Sequence, residues 1–199
     1  MLNKNTIEEI LKIEGETRGA VFHTDIQYVL EKKGEKGLSK LKNRLKDIGY
    51  EKIHSKEIKD TGWYPLAWRV ISLLAIQETF NWKEKDIFNM GMSAPKHSFI
   101  VKTLLRYFIS IEKTFKESAK YWEKHYSIGE LRAPEINVKD KKLVLQLLDF
   151  KIHPIFCGYF RGYFKAVASL VVKTDKMTVK RTKCVFEGDS YNEYVITWE

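Results

Sequence analysis

A chain of 199 residues with 44% hydrophobic and 13% aromatic side chains is neither disordered nor fibrous, and at this size it buries roughly 70% of its unfolded surface in a core that needs no disulfides. Its two cysteines exclude a secreted disulfide framework and point to the cytoplasm, no apolar run approaches the ~18 residues of a membrane span, and the opening MLNKNTIEEI lacks the apolar centre of a signal peptide. The net charge of +9 admits an anionic partner, but the excess is spread evenly along the chain, so no specific nucleic-acid partner is expected.

Thr6-Ile7-Glu8-Glu9 reads as a capping box and predicts a short helix to about Ile13. Ala20-Val21-Phe22 reads as a brief extended segment. Thr24-Asp25-Ile26-Gln27 repeats the capping-box pattern and predicts a helix to about Lys33, interrupted by Gly34 and Gly37. Leu38, Leu41, Leu45 and Ile48 form an apolar stripe at helical spacing, stopped by Gly49. Residues 50–62 are polar and mixed and read as a linker. A strongly apolar helix is expected over 64–80, a short one over 83–90, and a longer one starting at Ser93-Ala94-Pro95 and running through Phe108, with the proline in its first turn. Another helix covers 111–125.

After Ser127 the period changes from helical to alternating. Strands are predicted over 128–138 and 142–150, then an aromatic helix over 153–172, then strands over 177–186 and 191–198. The fold class is α+β, with N-terminal helices followed by an antiparallel sheet of about four strands in β-β-α-β-β order. In the last hairpin, a bulge near Lys180-Arg181 and a three-residue loop, Gly188-Asp189-Ser190, would set Phe186 opposite Asn192 and Cys184 opposite Tyr194.

The usual enzyme signatures are missing: there is no G-x-x-x-x-G-K-[ST], G-x-G-x-x-G, H-E-x-x-H or G-x-S-x-G. Glycine is scarce, at 11 residues, and the five histidines are dispersed, so no catalytic residues are assigned and the protein is not expected to be an enzyme. The helix over 153–172 is the most unusual segment. Gly158, Gly162 and Ala166 recur every four residues and line one ridge, surrounded by Phe156, Tyr159, Phe160, Tyr163 and Phe164. That pattern suits either packing against the sheet or the wall of an apolar pocket with phenol hydroxyls for orientation, and Gly162 is expected to border the pocket.

Cys184-x-x-x-Gly188-Asp189-x-x-Asn192-x-Tyr194, closing on Trp198, resembles the ending of vinyl-4-reductase-type, or hydrocarbon-binding, domains. Gly158-Tyr159-x-x-Gly162-Tyr163 is similar to the penultimate helix of that family. The element order agrees over residues 18–199, which leaves 1–17 as an N-terminal helical extension. The resemblance implies a fold shared with TRAPP Golgi-transport subunits and with nitric-oxide sensors of the H-NOX type. It implies a stand-alone cytoplasmic sensor or carrier that holds a small hydrophobic ligand (aromatic, lipid or hydrocarbon) between helices and sheet, as a homodimer acting on a regulatory partner protein. The residues assigned to the pocket are Phe99, Thr103, Arg106, Leu131, Phe156, Tyr159, Phe160 and Tyr163, with Arg106 and the tyrosines orienting a polar end. The rival functions are a reductase accessory acting on a tetrapyrrole and a TRAPP-like scaffold with a sealed interior.

No cofactor is expected. Where family members hold zinc, Asn192 stands at the second cysteine position and Arg181 at the acidic one, which leaves at most His153, Cys157 and Cys184. The haem-propionate signature Y-x-S-x-R of the nitric-oxide sensors is absent, and His97 has no supporting neighbours as an axial ligand.

Overall fold

In a computed structural model, residues 2–98, 101, 110–172, 174 and 176–199 are described. Helix α1 (Lys4–Leu11) opens with Asn3 as its cap, the Asn3 side chain accepting a hydrogen bond from the Thr6 backbone N–H at 2.9 Å. The cap therefore sits three residues before the expected Thr6. Strand β1 (Glu16–Arg18) pairs antiparallel with β2 (Trp63–Pro65). Helix α2 (Ala20–Asp47) takes in the segment expected to be extended, and Thr24 lies inside it rather than capping it: its hydroxyl donates to the Ala20 carbonyl at 2.8 Å. The expected interruption falls at Gly34, where φ of 64° breaks α2 into two helical pieces; Gly37 is helical.

A short 3₁₀ turn, Glu51–His54, follows. Ile53 and Ile58 are buried, so residues 50–62 are packed against the core rather than free as a linker. Helix α3 (Leu66–Phe80) is apolar nearly all round, as expected of a central helix. Helix α4 (Glu84–His97) merges the two helices expected on either side of Met92, because Pro95 falls in its last turn rather than its first. Two short helices, α5 (Ile111–Lys116) and α6 (Ser118–Glu123), stand where one was predicted.

Strands β3 (Glu130–Asn137) and β4 (Lys142–Leu148), helix α7 (Ile155–Val172), and strands β5 (Met177–Lys183) and β6 (Asn192–Trp198) complete the chain. The four strands form one antiparallel sheet in the order β3-β4-β6-β5, and the α+β class and the β-β-α-β-β order hold. Leu143, Leu145, Leu147, Tyr194 and Ile196 are buried on the central strands. Register slips occur between Arg132 and Glu135, at Pro134, and between Arg181 and Lys183.

The final hairpin differs from expectation. Arg181 pairs with Tyr194 and Lys183 with Glu193, so Cys184 has already left the strand. Its backbone N–H donates to Asp189 at 2.7 Å, and its carbonyl accepts from Glu187 and Asp189. Phe186 sits at an exposed turn instead of the inner face.

Helix α7 lies between the sheet and α4. It is long and apolar enough to cross a membrane by length and composition, but 61% of it is buried inside the protein, as in the core helix of a globular domain. The α4–α7 contact is backbone to backbone: a Cβ built on Gly162 would lie 2.0 Å from the Phe88 carbonyl oxygen, and one on Gly91 would lie 2.0 Å from that of Tyr159. Gly162 therefore backs onto α4 and does not border a pocket, contrary to expectation.

Candidate functional site

Between α2, α4, α5, α6 and α7 lies a cavity of about 70 Å³. Val21 and Thr24 of α2, Ala94 of α4, Thr114 and Phe115 of α5, and Ser118, Tyr121 and Trp122 of α6 face it. Helix α7 supplies Tyr159, Phe160, Tyr163, Phe164 and Val167, and His125, Tyr126 and Leu131 close one side. Leu131 is the only strand residue among these, so the space is mostly enclosed by helices rather than lying between helices and sheet.

Of the residues expected to form a pocket, Leu131, Tyr159, Phe160 and Tyr163 come together on this wall. Phe156 does not: it sits in a buried aromatic stack, 5.2 Å from the Phe160 ring and 5.5 Å from the Phe150 ring between centroids. Phe99, Thr103 and Arg106 lie outside the described residues. The stack continues the cavity wall into the core, through Trp122 against Tyr126 at 4.5 Å and Phe164 against Tyr194 at 5.1 Å.

Sequence reasoning missed Thr114, Ser118, Tyr121, Trp122 and His125. Their signal was present: positions 114, 118, 121, 122 and 125 repeat at three- and four-residue spacing and so share one helical face. The mixture of polar and aromatic types on that face hid it from a reading based on apolar stripes.

The electrostatics are set by burial. Desolvation pushes the Tyr126 phenol up to about 12 and raises the Tyr159 and Tyr163 phenols further, so all three stay protonated. Beneath Tyr159 lies the fully buried Arg69, its guanidinium carbon 4.9 Å from the ring centroid. Arg69 donates to the Val21 carbonyl at 2.7 Å and to the carboxylate of Asp25, which is also fully buried. Burial disfavours the Arg69 charge, but Asp25 more than restores it and holds the guanidinium ionised. His125 lies 3.0 Å, through Nδ1, from the Tyr121 carbonyl, and burial lowers its affinity for a second proton.

The fold brings two of the three candidate metal residues together. Cys157 and Cys184 are buried free thiols that share a hydrogen bond, their sulfurs 3.9 Å apart, and burial pushes the Cys157 thiol up to about 11. His153 instead accepts a hydrogen bond from the Ile155 N–H at 3.1 Å, at the start of α7. Among the described residues no group of three or more His, Cys, Asp or Glu gathers. His97 faces Glu31 at 3.0 Å, away from the cavity wall.

No protein-family model and no curated protein matches the chain. Solved structures do. The fold is similar to that of an H-NOX protein from S. oneidensis in its Fe(II)NO state, with a TM-score of 0.67 at 10% identity over 92% of this chain and 99% of that one. It is also similar to an oxygen-binding H-NOX domain related to soluble guanylate cyclases, with a TM-score of 0.64 at 13% identity over 92% and 95% of the two chains. A further match is a mutant H-NOX protein from K. algicida in its unliganded Fe(II) state, with a TM-score of 0.63 at 12% identity over 92% and 96%. The chain thus has the H-NOX fold, which agrees with the fold relation inferred from its motifs.

Proposed function

We propose that this protein is a small-molecule-binding sensor or carrier module whose ligand occupies the helical cavity. The observation that carries the reading is an interior left open and faced by aromatic and apolar side chains, with two unpartnered polar atoms in its wall among the described residues. A fold shared with ligand-binding sensor domains supports it. So do the vinyl-4-reductase-type motifs around Gly158 and Cys184. The reading assigns no catalytic step.

Haem, the group held by several of the similar structures, does not fit this site. A porphyrin needs a pocket in the range of roughly 300–1,000 Å³, against about 70 Å³ here. Among the described cavity residues none is a lysine or arginine to meet the propionates, and His125 is the one imidazole. The ligand is accordingly a smaller molecule.

Native mass spectrometry of protein purified from its own host tests the reading and reports the oligomeric state, for which a homodimer is proposed. A retained small molecule, or a melting temperature raised by small apolar compounds, is expected. A bare chain mass together with no thermal response to any such compound at millimolar concentration overturns it.

A further inference from the structure

The buried polar atoms of the cavity wall that no protein group meets, among the described residues, are His125 Nε2 and Thr114 Oγ1. The state of the imidazole follows from its other nitrogen. A carbonyl oxygen only accepts hydrogen bonds, so the Nδ1 that faces the Tyr121 carbonyl at 3.0 Å carries the ring proton and donates it. A doubly protonated ring would need an acceptor for a second N–H at Nε2, and no described protein group supplies one. Nε2 is therefore a bare acceptor, fixed in direction by the Tyr121 contact as a second-layer carbonyl fixes a binding histidine. The Thr114 hydroxyl sits on the same wall and can either give or take a hydrogen bond.

We infer that His125 is the specificity-determining residue of this cavity, with Thr114 on the same wall, and that the ligand is a small apolar molecule bearing one N–H or O–H donor. The inference rests on the proposed ligand-binding reading and adds the chemical class of the ligand to it. Two considerations decide the class. The remaining wall is mostly aromatic and aliphatic, and its Thr24, Ser98 and Ser118 hydroxyls are already hydrogen-bonded to backbone groups, so most of the ligand is apolar. A wall with a buried, unmet acceptor discriminates against an isostere that lacks the donor, because binding such a molecule leaves the acceptor stranded. The volume limits the ligand to a few heavy atoms or a single five-membered ring. Carboxylates are disfavoured because they bring a second acceptor to an acceptor.

Pyrrole and furan make the test, since they match in shape and differ in one N–H. Each is titrated into the full chain and followed by amide and histidine side-chain ¹⁵N NMR. Pyrrole should bind about tenfold more tightly than furan, the worth of one net hydrogen bond. It should also move the His125 Nε2 resonance away from its unprotonated, unbonded position, and furan should not. In His125→Phe the preference disappears while furan still binds; in His125→Gln, whose side-chain oxygen replaces Nε2, part of it returns. Equal affinity for the two probes in the wild type overturns the role of His125 and leaves the cavity reading standing. Binding of neither probe removes the cavity reading and this inference together. Should the Phe variant fail to fold, the wild-type His125 resonance alone decides.

Discussion

At Asp25 the local pattern and the distant partner compete. Thr24-Asp25-Ile26-Gln27 has the form of a capping box, yet both Thr24 and Asp25 lie within a helix that begins at Ala20. Asp25 serves Arg69, 44 residues away, in a fully buried pair. A capping signature spans four residues and carries no information on such a contact, so this feature could not be read from the chain alone. His54 is a similar case. It is buried with Nε2 3.0 Å from the Ser72 hydroxyl, and burial, reinforced by the Arg69 charge, pushes its pKa down to about 3. The unfolded chain protonates His54 near 6.5, whereas the folded chain does not until about 3. Its contribution to stability is therefore whole above 6.5 and lost as pH falls toward 3, on the order of 5 kcal/mol across that window. Asp25, pushed up to about 7 by burial, runs the opposite way: its carboxyl favours the folded state at low pH. The informative measurement is the difference between wild-type and His54→Gln unfolding free energies from pH 7 to 4. The wild type should lose more stability with acid; parallel curves would show that His54 accepts a proton in the folded state.

The pairing of α4 with α7 makes a sharp prediction about individual glycines. Glycine in a helix interior ordinarily gives up about 1 kcal/mol relative to alanine. Gly162→Ala should nevertheless destabilise by about 1–3 kcal/mol or more, because its methyl meets the rigid Phe88 carbonyl at 2.0 Å. Gly158→Ala, one turn earlier, meets the flexible Glu84 side chain at 3.3 Å and otherwise only ordinary contacts, with the Glu84 carbonyl at 3.7 Å and Ile87 at 3.9 Å, and should be neutral or slightly stabilising. Thermal or urea unfolding of the two variants checks the contrast, and equal effects would mean that the helices are not in backbone contact. The small-residue ridge was legible from its four-residue spacing; which neighbour it faced was not, since sheet, pocket and helix all accept a stripe of glycines. The strands of β4 and β6 were legible because alternation leaves one face apolar. The turn between β5 and β6 was misjudged because Asp189 reaches back to the Cys184 N–H and holds residues 184–189 as a compact turn outside the ladder.

Over the whole molecule, the β-β-α-β-β order of the second half was readable from two periodicities, the small β1-β2 sheet was not, and four of the eight proposed pocket residues meet on one wall. The polar side of that wall was not readable, because Thr114 and His125 acquire meaning only from the absence of protein partners around them among the described residues. On the proposed reading, the cavity takes a molecule smaller than a porphyrin. Haemin added to the purified protein should give no one-to-one complex with a sharpened Soret band. A stoichiometric complex whose spectrum changes in His125→Ala would show instead that the helices part to admit a porphyrin.

The two borders of the large sheet bear on how copies of this chain associate. The outer strand β3 carries Pro134 and a register slip, which removes one backbone donor and bends the strand. The opposite outer strand, β5, reads MTVKRTK and sets Lys180, Arg181 and Lys183 along its length. A second copy laid against β5 would bring like charges face to face, and one laid against β3 would find the ladder interrupted. Growth by adding strands to this sheet, the route to fibrils and to sheet-continuous dimers alike, is thus obstructed at both ends.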